Sequence, residues 1–488
     1  MKAAVRLPRR GFLMLRLASL SVLGGLAMLA VVSPADAWAP GGAVLPADDS
    51  GANIQRSMSL MANSTGLKRN TVRVLYYGQS HAESDWTRII GERLRRQYPL
   101  VNFVIENRAI GGNSAQLLVK NAEADLYPFY PDLVIFIDYG DAAPYEAIIR
   151  RIRELTTADI LIATDHVAPL VGEKMDEETD PLKLRQPKPG DHDAAWRSCV
   201  FLPAIAKKYG AELADVRTRW KQYLNDQKLK PGDLLYDDLH LNARGNDLMA
   251  EIVHPHLRHR PDLPDASWID RVKTFSVGQD GDVSWKNGKL VLAFEGNKVD
   301  LICKEGPLAT PAAIRIDGKK PSEFPELYVA SRSEVIGYRT KPVLLRVQNA
   351  SPLILENWSM TITGLAAMNG QYRFKVTGSI TGEDGEGEAG KHFVSKSGRV
   401  VLDPDDFWLG TVPQWAKDHD GTAIELRWKA EPFFADEFLV PTKRNPFGDT
   451  VVIAAQGLSN GTHTLEITGG PDTPLAAIRV HRPPLGRK

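Results

Sequence analysis

The stretch Leu75–Asp85, LYYGQSHAESD, decides the fold expected for this chain of 488 residues. It continues an apolar run, VRVLYY, which ends at Gly78 and has the composition of a buried β-strand. A tight turn carrying Ser80 follows, and a helix is predicted from about Asp85. Ser80 is therefore expected at the carboxyl end of a strand, where open α/β sheets bind their ligands.

Apolar strands and amphipathic helices alternate from residue 71 to about residue 258. VNFVIENRA and PDLVIFID are predicted strands followed by helices, whereas ADILIATD leads into a long polar loop, 167–190. Further helices are predicted over 193–208 and from Ala243 to His256. Strands separated by helices imply parallel βαβ units with helices on both faces of the sheet. This part of the chain is therefore predicted to have an α/β fold.

Beyond Ala266 the helical period disappears, and short alternating segments bounded by Gly, Asn, Asp and Pro take over. Such segments predict an all-β sandwich region over 266–488. Within it, residues 377–392 are rich in glycine and acidic side chains and are predicted to form a long mobile loop.

The first 37 residues have the composition of a signal peptide. A basic start precedes an apolar stretch, Leu17–Val32, and the cleavage site is expected at Ala35–Ala37. The segment PRRGFLMLR resembles a twin-arginine signal, with an ordinary secretory signal or an uncleaved anchor as alternatives. Arg16 interrupts the apolar stretch and argues against a stable membrane span. We expect an exported protein, periplasmic or extracellular, with a linker over 38–67 and no membrane span in the mature chain.

From the charge balance and the cysteine content we expect no nucleic-acid partner, no metal site and no cofactor. Lys+Arg and Asp+Glu both number 60, so no basic surface for nucleic acid is expected. Cys199 and Cys303 form either one disulfide or two buried thiols. The run Asp191–Asp193 has metal-like residue types, but a helix cap is the preferred interpretation.

Two distant stretches carry the residue types that ester hydrolysis by a serine needs. The reaction requires a nucleophile, a base within reach, a group that orients the base, and donors for the oxyanion. Ser80 is the candidate nucleophile and His240 the candidate base. Asp237 lies three residues before His240, where its carboxylate meets the imidazole Nδ1–H. The backbone amides of Ser80 and Gly112 are the expected oxyanion donors.

These motifs resemble those of the SGNH (GDSL-type) hydrolases over about residues 70–258. The blocks are Gly78-Gln79-Ser80, with Gln where the family often has Asp, then NRAIGGNSA and DDLHLNARGN. The resemblance implies a flavodoxin-like three-layer α/β/α domain over 68–260, of the kind found in esterases and acetylesterases. It also implies that Gly112 is the oxyanion glycine.

The third block departs from the family pattern. Where the family usually has Gly-x-Asn-Asp, with the Asn side chain as third oxyanion donor, this chain has Asp138-Tyr139-Gly140-Asp141. Asp141 aligns with that Asn, and an ionised carboxylate would repel the oxyanion. Three outcomes are open. Asp141 is turned away with Tyr139 or an amide in its place, or it is held neutral by burial, or the chain is slow or not a simple hydrolase.

Four polar residues at strand ends face the same rim and are candidates for substrate binding: His81, Tyr139, Asp165 and His166. His81 is equally interpreted as starting the helix, and the Asp165-His166 pair as a hydrogen-bonded loop anchor. In the C-terminal half, FEGNKVDLI, IRIDGKKPSEFP and GLSNGTHTLEITGG resemble the β-sandwich modules of exported carbohydrate esterases. The resemblance implies one split, jelly-roll-like sandwich with an insertion at about 346–419, or two adjoining β-domains. Aromatic residues considered for sugar stacking, most of them expected in the core, are Trp358, Trp408, Trp415, Trp428, Phe433 and Phe434.

The leading hypothesis is an exported serine esterase that removes an acyl group, most simply acetyl, from a carbohydrate or another small ester. A polysaccharide O-acyltransferase with the same triad is the first alternative. A non-catalytic carbohydrate-binding protein on an esterase scaffold is the second, motivated by Asp141.

Overall fold

The computed structural model describes residues 50–263, 269–278, 281–304, 311–335, 341–365, 371–412 and 423–486. The expected signal peptide, residues 1–37, lies outside this part of the chain. The strands of the N-terminal half are β1 (Thr71–Gly78), β2 (Asn102–Asn107), β3 (Leu133–Ile137), β4 (Asp159–Ala163) and β5 (Glu212–Ala214). The helices are α1 (Gln55–Ala62), α2 (Ser80–Glu83), α3 (Trp86–Gln97), α4 (Ala115–Asp125), α5 (Ala142–Leu155), α6 (Ala194–Trp196), α7 (Leu202–Tyr209), α8 (Val216–Asp226) and α9 (Ala243–Val253).

The five strands form one parallel sheet in the order β2-β1-β3-β4-β5. β1 pairs with β2 and β3, so Val74 lies between Ile105 and Leu133. This is a common order for doubly wound sheets, whose ligands bind where the order reverses, here between β1 and β3. Ser80 and Asp138 follow these two strands and therefore lie at that point of the sheet edge.

Successive side chains of β1 enter two hydrophobic cores, one on each face of the sheet. Val74 and Tyr76 pack in the core completed by α1, α3, α8 and α9. Leu75 and Tyr77 pack in the core completed by α4, α5 and α7. Helices therefore cover both faces, as predicted, and hold the strand ends that carry the polar rim.

Residues 52–62, expected to belong to a linker over 38–67, fold instead into a 3-10 turn and α1. Ser57 fixes this helix to the sheet, because its amide and hydroxyl donate to Asp159 Oδ2 at 2.7 and 2.8 Å. Three apolar side chains with the spacing i, i+4, i+7 are buried: Ile54, Met58 and Met61. This apolar spacing packs the helix against the core. It is hard to see in the sequence because small residues dominate the composition of the segment.

The C-terminal half contains two large antiparallel sheets. The strands of the first, in spatial order, are β17 (Glu437–Phe438), β8 (Ala312–Ile316), β18 (Val451–Thr468), β7 (Lys289–Cys303), β19 (Leu475–His481) and β6 (Val272–Ser276). Those of the second are β10 (Glu334–Val335), β16 (Ala423–Pro432), β11 (Asn357–Thr363), β12 (Arg373–Gly378) and β13 (Gly382–Glu388), with β9 (Tyr328–Ala330) also on β16. β14 (Phe393–Val394) and β15 (Val401–Leu402) pair with each other.

The second sheet is inserted in the sequence between β8 and β17 of the first. It runs from β9 to β16, so the insertion begins before and ends after the 346–419 expected. The strands β9 and β10 have three and two residues, too few for an alternating pattern to mark them. They belong to the insertion because both pair with β16.

Residues 377–392, predicted to be a mobile loop, form the end of β12, the hairpin and β13. Glycine and acidic residues are unfavourable in strands, so tertiary contacts must stabilise β13. Asp384 is buried and accepts the Ser397 amide and hydroxyl at 2.8 and 2.6 Å. A Cβ on Gly387 would lie 2.5 Å from the Phe374 ring, so glycine is required there.

The two cysteines, Cys199 and Cys303, are both free thiols and half-buried. Of the aromatic residues considered for sugar stacking, Trp358 and Trp428 are buried and lie parallel, with ring centroids 6.3 Å apart. Trp415 lies outside the described residues. Within the described ranges, no helix has the length and apolarity needed to cross a bilayer.

Candidate active site

Gly78 ends β1 in a conformation that favours glycine. Its φ is +142°, and a Cβ there would lie 1.9 Å from the carbonyl oxygen of Ile137. The chain therefore turns closely against β3, and Ser80 starts α2 at the carboxyl edge of the sheet. Gln79 caps this short helix, since its side-chain oxygen accepts the His81 amide at 3.1 Å.

Ser80, His240 and Asp237 form a hydrogen-bonded relay. The Nε2 of His240 lies 3.1 Å from the Ser80 Oγ, and its Nδ1 lies 2.8 Å from Asp237 Oδ2. Asp237 Oδ1 accepts the backbone amides of His240 and Leu239 at 2.7 and 3.1 Å. The His240 amide bond, and then the imidazole bond, lower the pKa of Asp237 to about 2. The ionised carboxylate keeps the imidazole proton on Nδ1, so that Nε2 can accept the serine proton.

His166 supports the loop that carries His240. Its Nε2 lies 2.9 Å from the Leu239 carbonyl oxygen, so this nitrogen carries the proton. Asp238 has φ +59°, in the left-handed region, and its carbonyl accepts the Leu170 amide at 3.0 Å. The loop that carries His240 is thus tied to the segment after β4 by two hydrogen bonds.

The turn Gly111-Gly112 lies directly beside Ser80. A Cβ on Gly111 would lie 3.5 Å from the Ser80 Cβ, and the Gly111 amide donates to Glu83 Oε1 at 2.9 Å. Gly112 has φ +70°. Among the described residues, no hydrogen bond engages the amides of Gly112 or Ser80. Both amides therefore remain available to a ligand oxygen.

Asp141, the doubtful third oxyanion donor, does not lie beside the Ser80 and Gly112 amides. Its Oδ1 accepts the Gly190 amide at 2.8 Å, and its own amide donates to Gln116 Oε1 at 3.2 Å. It lines a neighbouring cavity rather than the one beside Ser80. Of the outcomes that the sequence left open, the structure has Asp141 turned away.

His81 and Asp165 form a buried pair behind Ser80. The His81 Nδ1 lies 2.9 Å from Asp165 Oδ1, and Arg197 donates to the other carboxylate oxygen at 3.2 Å. Burial alone would raise the pKa of Asp165, but the hydrogen bond and charge of His81, together with Arg197, hold it below its usual range. The His166 ring packs on His81 with centroids 4.5 Å apart. Burial, then the charge of His81, lower the pKa of His166 to about 3.

Three side chains of this cluster have ligand atoms within 4.8 Å of one another, a spacing that suits a metal ion: His81, Asp165 and His166. His81 and Arg197 already engage the two oxygens of Asp165. The cluster is therefore compensated in charge by its own side chains. A second acidic group with such spacing, on the C-terminal half, consists of Asp403, Asp405 and Asp406.

Asp138, which the sequence did not single out as a site residue, directly follows β3 and is buried. Burial raises its pKa well above the usual range, against the opposing effect of the Tyr139 amide. Burial therefore favours the neutral form of this carboxyl group. Its position next to the last residue of a buried apolar strand is the signal that marks it.

The cavity beside Ser80 has a volume of about 490 Å³. It brings together the relay serine and histidine, Gly112, and the four candidates for substrate binding: His81, Tyr139, Asp165 and His166. Its wall also contains four residues that were not among the candidates for substrate binding: Gln79, Glu173, His192 and Lys341. His192 Nε2 lies 2.8 Å from Glu173 Oε1, whereas the neighbouring Asp193 caps α6 as predicted, accepting the Trp196 amide at 2.8 Å.

No family model matches the chain, and no curated protein matches it. Among solved structures, it is similar to a two-domain esterase active on acetylated mannans, at 14% identity over 89% of this chain and 96% of the other, with TM-score 0.33. It is similar to Axe2, an acetylxylan esterase from Geobacillus stearothermophilus, at 16% identity over 40% of this chain and 98% of the other, with TM-score 0.32. It is also similar to LAE5, an alpha/beta hydrolase from the metagenome of Lake Arreo, Spain, at 15% identity over 38% and 94%, with TM-score 0.31.

Proposed function

We propose that the chain is an SGNH-type serine esterase that removes an acyl group, taken to be acetyl, from a carbohydrate. The observation that carries this proposal is the relay of Ser80, His240 and Asp237 beside two unengaged backbone amides. A hydroxyl, an imidazole in the accepting tautomer and free donors are what acyl transfer to a serine requires.

In the proposed first half-reaction the Ser80 oxygen attacks the ester carbonyl carbon, and its proton passes to His240 Nε2. The carbonyl π electrons move onto the oxygen, which the amides of Ser80 and Gly112 stabilise. The leaving alcohol takes the proton from His240 as its bond to the carbonyl carbon breaks. Water then attacks the acyl-enzyme with His240 as base, which releases the acid and restores Ser80.

The carbohydrate half of the proposal draws on the sequence resemblances. Residues 266–488 are proposed as a jelly-roll-like β-sandwich module with an insertion, and 1–37 as a signal peptide removed on export. Within the cavity, Tyr139 and His192 offer polar atoms suited to sugar hydroxyls. Burial raises the pKa of Tyr139, so its hydroxyl stays a hydrogen-bond donor.

The proposal is tested by hydrolysis of p-nitrophenyl acetate. Ser80→Ala should lose activity by about a thousandfold or more. Ser114→Ala, which alters a serine at the start of α4, is the matched control and should keep the wild-type rate. Equal rates for wild type and Ser80→Ala would refute the assignment of the nucleophile.

Two further measurements separate the alternatives. A fluorophosphonate probe should form an adduct at Ser80, which a non-catalytic binding protein would not do. Mass spectrometry of a glycan incubated with an acyl donor distinguishes hydrolysis from transfer, since gain of acetyl by the glycan without net release favours transfer. Asp141, the motive for the non-catalytic alternative, faces Gly190 and not the cavity.

A further inference from the structure

We infer that Lys341, from the C-terminal half, is a further catalytic residue whose ammonium stabilises the oxyanion; this rests on the proposed function. Lys341 lines the cavity together with Ser80, Gly112 and His240. Its Nζ lies 2.3 Å, and its Cε 2.9 Å, from the position that a Cβ on Gly112 would take. The ammonium therefore lies against the backbone of Gly112, whose free amide is the proposed oxyanion donor.

The Gly111-Gly112 turn is close to both Lys341 and the nucleophile, and all of them line the same cavity. The Gly112 side of this turn contacts the ammonium, and the Gly111 side lies 3.5 Å, measured from an added Cβ, from the Ser80 Cβ. An ester oxygen that accepts the amides of Ser80 and Gly112 is thus within reach of Lys341. The flexible four-carbon stem of lysine presents three donors and can follow the oxygen as the carbonyl carbon becomes tetrahedral.

Lys341 is the uncompensated charge of the cavity wall. The carboxylates that line the cavity are paired, Asp165 with His81 and Glu173 with His192. Lys341 has no ion-pair partner in the part of the chain that the structure describes. The ester substrate is neutral and the tetrahedral intermediate is negative, so this cation stabilises the intermediate more than the substrate.

The segment that carries Lys341 is anchored to the α/β half. Asn121 of α4 donates to the Leu345 carbonyl at 2.9 Å and accepts from Asn113 Nδ2 at 3.2 Å. Both asparagines are buried, and Asn113 directly follows Gly112. Two buried side-chain amides therefore connect Asn113, next to the oxyanion turn, with Leu345, four residues after Lys341.

Lys341 also explains how the site can work although the third motif, Asp138-Tyr139-Gly140-Asp141, lacks the family's Asn donor. The family's third donor is a neutral side-chain amide, whereas Asp141 donates nothing to this cavity and is bound to Gly190. Two backbone amides alone would leave the site one donor short. An ammonium from the other half of the chain supplies the third donor.

The test compares Lys341→Met and Lys341→Arg with Lys286→Met, an exposed lysine of the same half outside the cavity. Lys341→Met should lower kcat for p-nitrophenyl acetate about a hundred- to a thousandfold with little change in KM. Lys341→Arg should recover part of the loss because the charge is kept. Phosphonylation of Ser80 should slow in parallel, and ethylammonium added to Lys341→Ala should restore activity in proportion to its concentration.

Three outcomes would overturn the inference. One is a kcat of Lys341→Met equal to that of Lys286→Met. Another is a rise in KM at constant kcat, which would make Lys341 a ground-state binding residue. The third is a large loss in Tyr139→Phe with none in Lys341→Met, which would make Tyr139 the third donor. The proposed function fails separately, by the absence of any hydrolysis and any Ser80 labelling in the wild type.

Discussion

The side-chain oxygen of Gln79 lies 2.8 Å from the Ser80 hydroxyl oxygen, closer than the 3.1 Å to His240 Nε2. The same oxygen accepts the His81 amide, which identifies it as the carbonyl oxygen and not the amide nitrogen. Because Ser80 has a single hydroxyl proton, Gln79 and His240 compete for it. In the resting site the proton is therefore partly held away from the base.

Gln79→Ala removes this competition and the cap of α2 together. Breaking a neutral hydrogen bond of about 1 kcal/mol should raise the rate of Ser80 phosphonylation about fivefold. Loss of the cap should lower the free energy of unfolding by about 1 kcal/mol. Stopped-flow labelling and urea unfolding measure the two effects. Gln79→Glu keeps an acceptor oxygen for the Ser80 hydroxyl and the His81 amide and should label no faster than wild type; a slower Gln79→Ala would contradict the competition.

Asp237→Asn should reduce kcat about a thousand- to ten-thousandfold while the fold is kept. An asparagine can still accept the amides of Leu239 and His240 through its oxygen. Its NH₂ group, however, faces Nδ1 of His240 and forces the proton onto Nε2, which can then no longer accept from Ser80. Steady-state kinetics and Tm are the measurements. A mild loss with an unchanged Tm would show that another group orients His240.

Asp141→Asn should leave kcat for p-nitrophenyl acetate within about threefold of wild type, whereas removal of an oxyanion donor costs about a hundredfold or more. The reason is that Asn can still accept the Gly190 amide and does not reach the cavity. A gain of a hundredfold would instead mean that the carboxylate faces the oxyanion during catalysis and that Gly190 is not its lasting partner.

His166 gives the stability of the folded chain a dependence on pH. Its folded pKa is about 3, while in the unfolded chain it is about 6.5. Between these values the unfolded state binds a proton that the folded state does not, so the free energy of unfolding decreases as the pH is lowered, by about 1.4 kcal/mol per unit. Above the unfolded pKa this contribution is constant.

His166→Gln keeps a donor for the Leu239 carbonyl and should reduce that slope between about pH 6.5 and pH 5. Urea unfolding of both proteins across this window measures it. His481, whose pKa burial lowers to about 4, contributes the same slope to both proteins and serves as an internal reference. Identical slopes in the two proteins would contradict the buried, neutral state of His166.

The α/β half was predictable because its signals are local. Buried strands and amphipathic helices have their own periods, and each catalytic block carries its residue types within a few positions. Ser80 and His240, 160 residues apart, could therefore be paired before any contact was known. The helix α1 was missed because small residues hide its apolar spacing, and β13 because glycines and acidic residues are unfavourable in isolated strands.

Residues whose role depends on tertiary contact could not be found in this way. Lys341 lies in a segment without a motif, and only packing across α4 brings it to Gly112. Glu83 lies within the decisive stretch, but its acceptance of the Gly111 amide depends on where the second strand ends. The direction of Asp141 is likewise set by a partner, Gly190, that lies at the end of a long polar loop.

The hydrogen bond between Asn121 and the Leu345 carbonyl limits how the C-terminal half can be removed or replaced. A shorter chain ending near residue 260 would retain every member of the relay but would lack Lys341. The side-chain amide of the buried Asn121 would then face water or an empty surface. The C-terminal half therefore contributes a residue to the cavity beside Ser80 and is not an independent module. Replacing it with another module would remove Lys341 from the cavity beside Ser80 and leave Asn121 without its partner.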